Sequence, residues 1–492
     1  MTTQNADVFD PLRRAQEALR SGHFRTASDI AEKLSLIPEL PHVVRVPLGQ
    51  LLSQSLDGGA LRRVLAHPGF FADAPAQRLA EAGVMLSGVG AHREAEAALD
   101  AAVAKEPANV AAQYFRGTLA MFAGKKDVAV QRLERAIALD NGFAQSHWVR
   151  AMVGGDEGRG GRVDRIRAGL ARATPGYDGE IYFGYALFNE LHDAGDSAGA
   201  WAALTAAARA KRARLQYDPA AQSALFEALC QPGAGEAPMA ASEEPPPFQP
   251  VVIVGMHRSG TTLLEALLGS QPEITDGGES YAFSVEWKYL LDRHWRGVLT
   301  ADAVQALRGR SLASAARRYF RRNRSRAAGA PLMTEKLPSN ALNLGLIAAA
   351  IPGARFLHVV RDPVETCFSN FRTLFSEACP HSYDLAELAA FQKGHATMMA
   401  HWRQTHPDRI LEIDFDAMTR DPHGTVARVR GFLGLPEVAA SPNDGGIHTD
   451  PAQGRTVTSA SAMQVRRSVL PPTPVATRYP AFVEAMVANG VV

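Results

Sequence analysis

Residues 251–262, VVIVGMHRSGTT, constrain the fold of this chain more than any other stretch. An apolar, β-branched run is followed by a glycine-bounded turn and by a pattern that predicts a helix over residues 261–269. Unpaired backbone N–H groups at the start of such a helix, together with the positive end of its dipole, form an anion site. The frame G-x-x-x-x-G-T-T has P-loop spacing, but Thr261 stands where the lysine of a nucleotide-binding loop would be. Because that lysine reaches the β- and γ-phosphates, its replacement predicts a site for a shorter phosphate group. Charge and hydroxyl groups for this site come from Arg258, Ser259, Thr261 and Thr262.

The length of 492 residues exceeds what one hydrophobic core normally supports, so at least two domains are expected. Hydrophobic residues make up 46% and charged residues 21% of the chain, which are values of globular proteins. The 52 basic and 51 acidic residues leave a net charge of +1. Composition therefore gives no reason to expect nucleic acid or an anionic membrane as a partner, and any affinity for anions must be local.

Cysteine usage and the N-terminal sequence favour a soluble protein in a reducing compartment, so a cytoplasmic location is expected. The cysteines Cys230, Cys367 and Cys379 form no Cys-x-x-Cys pair and no zinc-binding spacing with histidine, so no metal is expected. The first residues lack the basic and apolar regions of a signal peptide, and no uncharged apolar run of about 20 residues is present to span a membrane.

The first half contains two adjacent windows that superimpose at a shift of 34 residues. This period, with small residues where two helices would cross, resembles the tetratricopeptide repeat and predicts an N-terminal α-solenoid of helix pairs over residues 8–230. Such a solenoid offers a concave surface for a protein partner or the substrate, or it serves as a spacer or a dimerisation stalk. Both interpretations stay open. The aligned pairs are Gly83–Gly117, Gly90–Gly124, Ala95–Ala129, Leu99–Leu133 and Ala102–Ala136, with fainter copies beginning at Gly22 and Gly195.

The second half begins after a predicted linker. Residues 231–248 are rich in Pro, Gly, Ala and Glu and show neither a helical nor a strand period. Residues 249–492 alternate apolar runs with helical patterns, which predicts a P-loop-like α/β domain with a mainly parallel sheet and helices on both faces. After the first strand and helix, strands are predicted at 332–334, 356–360 and 410–413, and helices at 340–351 and 364–375.

Three cationic residues, Arg258, Lys336 and Arg361, follow predicted strands at their carboxyl ends, where ligands bind in parallel sheets. The helix after Arg361 is indicated by Asp362 as its N-cap and by a proline at its first position. Ser369 falls near the second turn of this helix, so it could share a further phosphate with Arg361. The same arginine could instead pair with a surface carboxylate, and spacing alone does not decide between the two.

Together these segments resemble the sulfotransferase family over about residues 249–440. The likeness rests on the loop 255–263, on Thr334-Glu335-Lys336 and on the segment from Val360-Arg361-Asp362-Pro363 through Ser369-Asn370. It extends to the branch that includes protein-tyrosine sulfotransferases and bacterial proteins joining tetratricopeptide repeats to a sulfotransferase domain. The resemblance implies 3'-phosphoadenosine 5'-phosphosulfate as the donor and adenosine 3',5'-bisphosphate as the product.

The resemblance also implies a role for each matching residue. Those of the loop that would hold the 5'-phosphosulfate are Arg258, Ser259, Gly260, Thr261 and Thr262. Arg361 and Ser369 would hold the 3'-phosphate, and Arg466 is a further candidate for that contact. Lys336 and Arg258 would stabilise the oxygen that leaves with the nucleotide. Glu279 matches the catalytic base of the protein-tyrosine branch, and Phe415 stands where the family usually has a tyrosine.

Alternatives remain both for the catalytic base and for the function of the whole protein. Related small-molecule enzymes use a histidine base, for which His257, His358, His381 and His401 compete. The protein as a whole could instead be a repeat scaffold with an inactive sulfotransferase-like domain or, with less support, a P-loop kinase. As the hydroxyl acceptor of an active enzyme, a protein tyrosine, a saccharide, a lipid and a small molecule all stay open.

Overall fold

The computed structural model describes residues 6–231, 233, 245–375, 377–436, 456–457, 462, 465, 474 and 478–491. Contacts divide the chain into two compact units. The first unit comprises Met1–Asn141, Ser280–Arg296 and Ala313–Arg322, and the second comprises Gly142–Glu279, Gly297–Leu312 and Asn323–Val492. Among the described residues, no helix has the length and apolar character needed to cross a bilayer.

The first half is all helical, as the repeat period predicts. Its described residues form α1 (Ala6–Arg20), α2 (Phe24–Leu34), α3 (His42–Gln54), α4 (Gly58–Leu65), α5 (Pro68–Asp73), α6 (Ala76–Gly88), α7 (His92–Lys105), α8 (Val110–Phe122), α9 (Lys126–Leu139), α10 (Ala144–Val153), α11 (Arg159–Arg172), α12 (Asp178–Ala194), α13 (Ser197–Ala213) and α14 (Pro219–Cys230).

The glycines that align at the 34-residue shift lie where two helices of a pair cross. A Cβ atom on Gly83 would lie 2.6 Å from the Cγ atom of Leu99, and one on Gly117 would lie 2.8 Å from that of Leu133. The same geometry recurs 34 residues earlier, where a Cβ atom on Gly49 of α3 would lie 2.9 Å from the side chain of Leu65 of α4. The structure therefore contains a third copy of the crossing that the sequence comparison missed. Helix α6 packs against both α3 and α8, so neighbouring pairs stack.

The turns within the helix pairs explain why this copy is hard to detect. Gly90 and Gly124 adopt φ values of +74° between the two helices of their pairs, and Gly22 and Gly195 adopt +83° and +84°. Glycine enters this left-handed region without a steric penalty. The matching position in the α3–α4 pair is Leu56, which has a φ of +50°. Because this turn contains leucine in place of glycine, the spacing of turn glycines does not indicate the α3–α4 copy of the repeat.

The helix crossing in the α6–α7 pair predicts a stability effect. Gly83→Val should lower the free energy of unfolding by about 1–3 kcal/mol, because the added methyl groups overlap Leu99 in a packed interface. Gly88→Ala on the same helix is the control: no atom lies within 4 Å of its added Cβ atom. That variant should be neutral or more stable by up to about 1 kcal/mol, because alanine is the better helix former. Urea unfolding followed by circular dichroism measures both variants, and a Gly83→Val protein as stable as the parent would contradict the crossing.

The second half contains one sheet with the strand order β2-β3-β1-β4-β5, and every strand pairing is parallel. This confirms the predicted α/β class. The strands are β1 (Gln249–Gly255), β2 (Ile274–Asp276), β3 (Leu332–Lys336), β4 (Arg355–Val360) and β5 (Ile410–Asp414). The helices are α15 (Thr261–Leu268), α16 (Ala282–Leu291), α17 (Ala301–Leu307), α18 (Ala313–Ala327), α19 (Leu344–Ala350), α20 (Pro363–Phe371), α21 (Leu385–Thr405), α22 (Phe415–Arg420), α23 (Pro422–Phe432) and α24 (Pro480–Ala488). Short 3-10 helices cover Pro338–Asn343, Pro380–Tyr383 and Pro407–Arg409.

The predicted elements differ from the observed ones mainly at their ends. The helix predicted over 340–351 is a 3-10 helix, Pro338–Asn343, followed by α19, because a proline and two buried asparagines interrupt the regular pattern. The helix predicted to reach residue 375 ends at Phe371. Strand β2 was not predicted, since three residues are too few to show a period.

A shared hydrophobic core joins the late helices of the first half to the α/β domain within the second unit. Phe188 of α12 and Leu204 of α13 belong to the same buried cluster as Phe368 of α20, Leu388 of α21 and Phe482 of α24. The sequence-based division into 8–230, 231–248 and 249–492 stays a prediction, and residues 232 and 234–244 of its linker lie outside the described residues.

Polar contacts reinforce this shared core. The guanidinium group of Arg212 on α13 makes two hydrogen bonds, 2.6 and 2.7 Å long, to the carboxylate of Glu387 on α21. The hydroxyl of Tyr185 on α12 donates to the carbonyl oxygen of Phe371 at 3.3 Å. Helices α12 and α13 therefore pack as part of the same compact body as the sheet domain.

Candidate functional site

The loop between β1 and α15 depends on two glycines. A Cβ atom on Gly255 would lie 2.7 Å from the carbonyl oxygen of Val359 on β4. Gly260 has a φ of +110°, and a Cβ atom there would overlap the ring of Phe415. Arg258 adopts a φ of +68°, which is uncommon for a residue with a side chain. Such a conformation persists where the surrounding structure enforces it, as in ligand-binding loops.

The hydroxyl groups of the loop are buried beside the first turn of α15. Ser259, Thr261 and Thr262 all have side chains removed from solvent. The Oγ atom of Ser259 makes no hydrogen bond to any described residue. Buried polar atoms in native proteins normally have a partner, so this hydroxyl is suited to a ligand oxygen.

Helix α20 brings Ser369 to this loop. Its N-cap is Asp362, whose side chain accepts a 2.8 Å hydrogen bond from the backbone N–H of Glu365, and a proline occupies its first turn, as predicted. Nε of Arg258 donates to Oγ of Ser369 at 3.1 Å. The structure thus joins the loop after β1 to the helix in which the sequence predicts a second anion site.

Arg361 lies at the end of β4, between the loop and α20. It donates to the carbonyl oxygen of Arg258 at 3.4 Å, and its guanidinium nitrogen lies 3.6 Å from the carboxylate of Glu365. The guanidinium carbon lies 4.7 Å from the ring centroid of Phe415. Its buried Nε atom has no hydrogen-bond partner among the described residues. The alternative interpretation of this arginine, an ion pair with a carboxylate, stays open, although the two side chains are only 14% and 13% exposed.

The electrostatics of the loop show an excess of positive charge. The pKa of the Arg258 guanidinium is lowered to about 9, first by burial and then by the charges of Arg372 and Arg361, with Glu279 offsetting part of this effect. Cations that lower each other's pKa are stabilised by an added anion. Arg372 was not singled out from the sequence, although its position three residues after Ser369 places both on one face of α20 and its C-terminal turn.

Lys336 reaches the same end of the sheet from the neighbouring strand. It pairs in register with Ile253 of β1, and its side chain is 2% exposed. Its ammonium group donates a hydrogen bond to the carboxylate of Glu279 and lies 3.9 Å from that of Glu265. A buried lysine from β3 therefore lies at the same sheet edge as the loop, whose own sequence has a threonine in place of lysine.

A close approach between two chain segments positions Glu279. Gly277 lies so near the carbonyl oxygen of Thr334 on β3 that a Cβ atom could not fit. The backbone N–H of Lys336 donates to the carbonyl oxygen of Gly278 at 3.0 Å. Glu279 is the more accessible partner of the ion pair, with 34% of its side chain exposed against 2% for Lys336. A hydroxyl group from solution could therefore reach its carboxylate.

Of the competing histidines, His358 and His381 are buried, whereas His257 and His401 are half-buried. His257 hydrogen-bonds through Nε2 to the hydroxyl of Ser339 at 3.2 Å, and burial lowers its pKa to about 4. His381 stacks on Phe391 of α21 with a centroid separation of 3.5 Å. His395, which the sequence did not offer as a candidate, also stacks on Phe391, one turn farther along α21. Burial lowers the pKa of His395 to about 3 and that of His381 well below its ordinary value. A buried histidine with a lowered pKa is a weak proton acceptor at neutral pH.

His257, His381 and His395 predict acid sensitivity. Their folded-state pKa values lie below those of the unfolded chain, so the unfolded state binds more protons and stability falls as the pH drops below about 6.5. Each group contributes a slope of at most about 1.4 kcal/mol per pH unit between the two pKa values. Thermal unfolding between pH 7.5 and 4.5 should show this loss. His395→Phe should flatten the profile, whereas His42→Gln, at an exposed position, should leave it unchanged.

The described part of the chain shows no cluster of His, Cys, Asp and Glu suited to a metal ion. Arg466, which the resemblance implied as a contact, lies outside the described residues. The described candidates for donor binding and for the base lie in the second unit, at the carboxyl ends of β1, β2, β3 and β4 and in the segments that follow them.

Comparison with known proteins agrees with this arrangement. Residues 250–439 match the model of the sulfotransferase family. These residues form a sulfotransferase-family domain. A protein of Aquifex aeolicus described as uncharacterized is 29% identical to the chain over 201 residues, which is 39% of this chain and 26% of that protein. The chain thus spans about a quarter of the length of this relative.

Two solved structures are similar to the sulfotransferase-family domain. The sulfotransferase domain of the Synechococcus PCC 7002 olefin synthase is 18% identical, and the match covers 51% of this chain and 97% of that one with a TM-score of 0.34. A sulfotransferase from Alicyclobacillus acidocaldarius is 17% identical, with 50% and 96% covered and a TM-score of 0.29. Likenesses this distant leave the activity of the domain to be argued from its own residues.

Proposed function

We propose that the protein transfers a sulfuryl group from 3'-phosphoadenosine 5'-phosphosulfate to a hydroxyl acceptor. The observation that carries the proposal is the group of cations, one buried and two half-buried, at the ends of three adjacent strands. Arg258 follows β1, Lys336 ends β3 and Arg361 follows β4. Two separate anion-binding features, the loop and the start of α20, suit a donor with two separate phosphates better than one triphosphate chain.

The residues present fit such a donor. The buried Oγ atom of Ser259 and the buried Nε atom of Arg361 lack partners among the described residues, and both are hydrogen-bond donors for an anion. The glycine-bounded loop leaves its backbone open to close approach. We assign the 5'-phosphosulfate to the loop residues Arg258, Ser259, Gly260, Thr261 and Thr262, and the 3'-phosphate to Arg361 and Ser369.

The donor supplies an activated sulfuryl group and a nucleotide that leaves with negative charge. Lys336 and Arg258 stabilise that charge, and one well-placed donor of this kind contributes ~3 kcal/mol to lowering the barrier. Glu279 accepts the proton of the acceptor hydroxyl as general base. Its ion pair with Lys336 fixes both side chains against each other, so that base and cation are positioned by one contact.

A binding experiment tests the donor assignment. Thermal unfolding is measured with adenosine 3',5'-bisphosphate and, separately, with ATP and Mg²⁺. A ligand at a hundredfold excess over its Kd stabilises the native state by about 2.7 kcal/mol. Stabilisation by the bisphosphate alone supports the proposal. Stabilisation by ATP with Mg²⁺ alone would favour a kinase, and no response to either would favour a repeat scaffold with an inactive domain.

The acceptor needs a second experiment, because the site specifies a hydroxyl group but not the molecule that carries it. Incubation with donor labelled in its sulfuryl group, in the presence of tyrosine peptides, saccharides, lipids or small alcohols and phenols, identifies the class that becomes labelled. A protein acceptor would give the helical repeats a role in binding it. A small acceptor would leave them free for another partner.

A further inference from the structure

A polar cluster at the end of α12 lies beside the anion site without belonging to it. Nδ1 of His192 lies 2.6 Å from the hydroxyl oxygen of Tyr479. Nε2 of the same ring lies 3.2 Å from a guanidinium nitrogen of Arg372 and 3.3 Å from one of Arg478. All four residues belong to the second unit.

The chemistry of the partners determines the protonation of His192. Guanidinium groups only donate hydrogen bonds, so Nε2 must be the acceptor and the ring proton must sit on Nδ1, facing the oxygen of Tyr479. The pKa of His192 is lowered to about 3 by burial and then by the charges of Arg372 and Arg478. The imidazole is therefore neutral and accepts from both arginines.

Arg372 connects this cluster to the anion site. It follows α20 directly, one turn after Ser369, and its guanidinium carbon lies 5.3 Å from the ring centroid of Phe188 and 5.9 Å from that of Phe368. Its charge, after burial, contributes to the lowered pKa of the Arg258 guanidinium. Ser369 meanwhile accepts a hydrogen bond from Arg258. The contact with His192 therefore fixes a cation that lies at the same end of α20 as Ser369.

The C-terminal segment fixes the other side of the imidazole. Tyr479 stacks on Phe368 of α20 with a centroid separation of 4.8 Å and an interplanar angle of 26°. Phe482, in the first turn of α24, is fully buried against Phe368 and Phe371. His192 is thus held between a helix of the repeat half and a segment from the C-terminal end of the chain.

We propose that His192 is a positioning residue for the 3'-phosphate subsite. Its imidazole, in contact with the hydroxyl of Tyr479, fixes the guanidinium of Arg372, which follows Ser369 by one turn at the end of α20. The last helix pair and the C-terminal segment thereby set the affinity for the phosphate. The inference rests on the proposed donor, and it assigns to α12 an indirect part in donor binding, through Arg372.

The test compares two ligands that differ by one phosphate. Titration calorimetry gives the Kd values of adenosine 3',5'-bisphosphate and of adenosine 5'-phosphate for the parent protein and for His192→Phe. Phenylalanine keeps the aromatic volume against Phe188 and Tyr479 but removes the acceptor. The Kd of the bisphosphate should rise by about tenfold or more, and that of adenosine 5'-phosphate by less than about threefold, because only the first ligand carries the 3'-phosphate.

Further variants separate positioning from folding. His192→Gln, whose amide oxygen can accept from Arg372, should recover part of the affinity for the bisphosphate. Tyr479→Phe removes only the hydroxyl that contacts Nδ1 of His192, so it should raise the Kd of the bisphosphate by a smaller factor. Tyr182→Phe, on the same helix α12 and next to Trp148, should change neither Kd. The melting temperature of each protein without ligand records any general loss of structure.

The outcomes are distinct. Equal weakening of both ligands by His192→Phe, or no change in either, would refute the positioning role while leaving the donor assignment in place. A parent protein that binds no bisphosphate would refute the proposed function and this inference with it. Selective weakening of the bisphosphate, partly reversed in His192→Gln, is the result expected.

Discussion

Glu279→Gln should lower kcat for sulfuryl transfer by about 10²- to 10⁴-fold, the usual contribution of a general base. The amide keeps the size of the side chain and can still accept a hydrogen bond from Lys336, but it cannot take the proton of the acceptor hydroxyl. The affinity for adenosine 3',5'-bisphosphate should stay unchanged, because the loop and α20 supply the contacts assigned to that ligand. Initial rates with labelled donor, combined with a binding isotherm, measure both quantities.

The control for Glu279 lies in the same loop. The carboxylate of Asp276 accepts a 2.8 Å hydrogen bond from the backbone N–H of Gly278, so Asp276→Asn disturbs the loop without removing the proposed base. This variant should lose less than about tenfold in rate, as expected for a weakened local hydrogen bond. If Glu279→Gln kept full turnover, or lost no more than Asp276→Asn, the base would have to be sought among other groups.

Lys336→Met should lower kcat by about 10²- to 10³-fold, the usual cost of removing a group that stabilises charge formed in the transition state. Methionine is similar in length to lysine, and its apolar side chain suits a buried position, where the lysine side chain is 2% exposed. Binding of the bisphosphate should weaken too, because this product carries the charge that forms on the leaving oxygen. This differs from Glu279→Gln, which should affect the rate alone.

Two further variants show whether the effect of Lys336→Met comes from the loss of its charge at this position. Lys336→Arg keeps the charge but places a planar, larger group in a packed position, so it should recover only part of the rate. Lys393→Met removes an exposed lysine from α21 and should change neither rate nor affinity. Full turnover in Lys336→Met would mean that the charge on the leaving oxygen is stabilised elsewhere.

The parts of the site that could be predicted from the sequence are local in the chain. The phosphate loop, the Asp362 cap and the proline that follows it all depend on residues within a few positions of each other, so spacing alone locates them. The contact between Glu279 and Lys336 needed the strand register, which the sequence does not provide. The family resemblance made Glu279 a candidate but did not predict its contact with Lys336, which the structure explains by the close approach at Gly277.

The parts that could not be predicted depend on tertiary contacts or on an unusual residue. Nothing near His192 in the sequence indicates that its ring meets Arg372 and Tyr479, which lie 180 and 287 positions farther along the chain. The α3–α4 crossing could not be predicted from turn glycines, because Leu56 occupies the left-handed turn position. The residues directly after Glu279 belong to the first unit: the carboxylate of Asp292 accepts a 2.7 Å hydrogen bond from the backbone N–H of Arg25.

A shared core limits where a chimeric protein can be joined. The helices that form it are α12, α13, α20, α21 and α24. A chimera that takes the repeats of one protein and the sheet domain of another, joined near residue 240, would split this core and separate His192 from Arg372. A junction at residues 141–142 would keep both intact. Exchange of the first unit would also require a matching sequence at 280–296 and 313–322, because those segments fold with it. The compact unit that carries the candidate site is therefore longer than the family-matched segment and begins at Gly142.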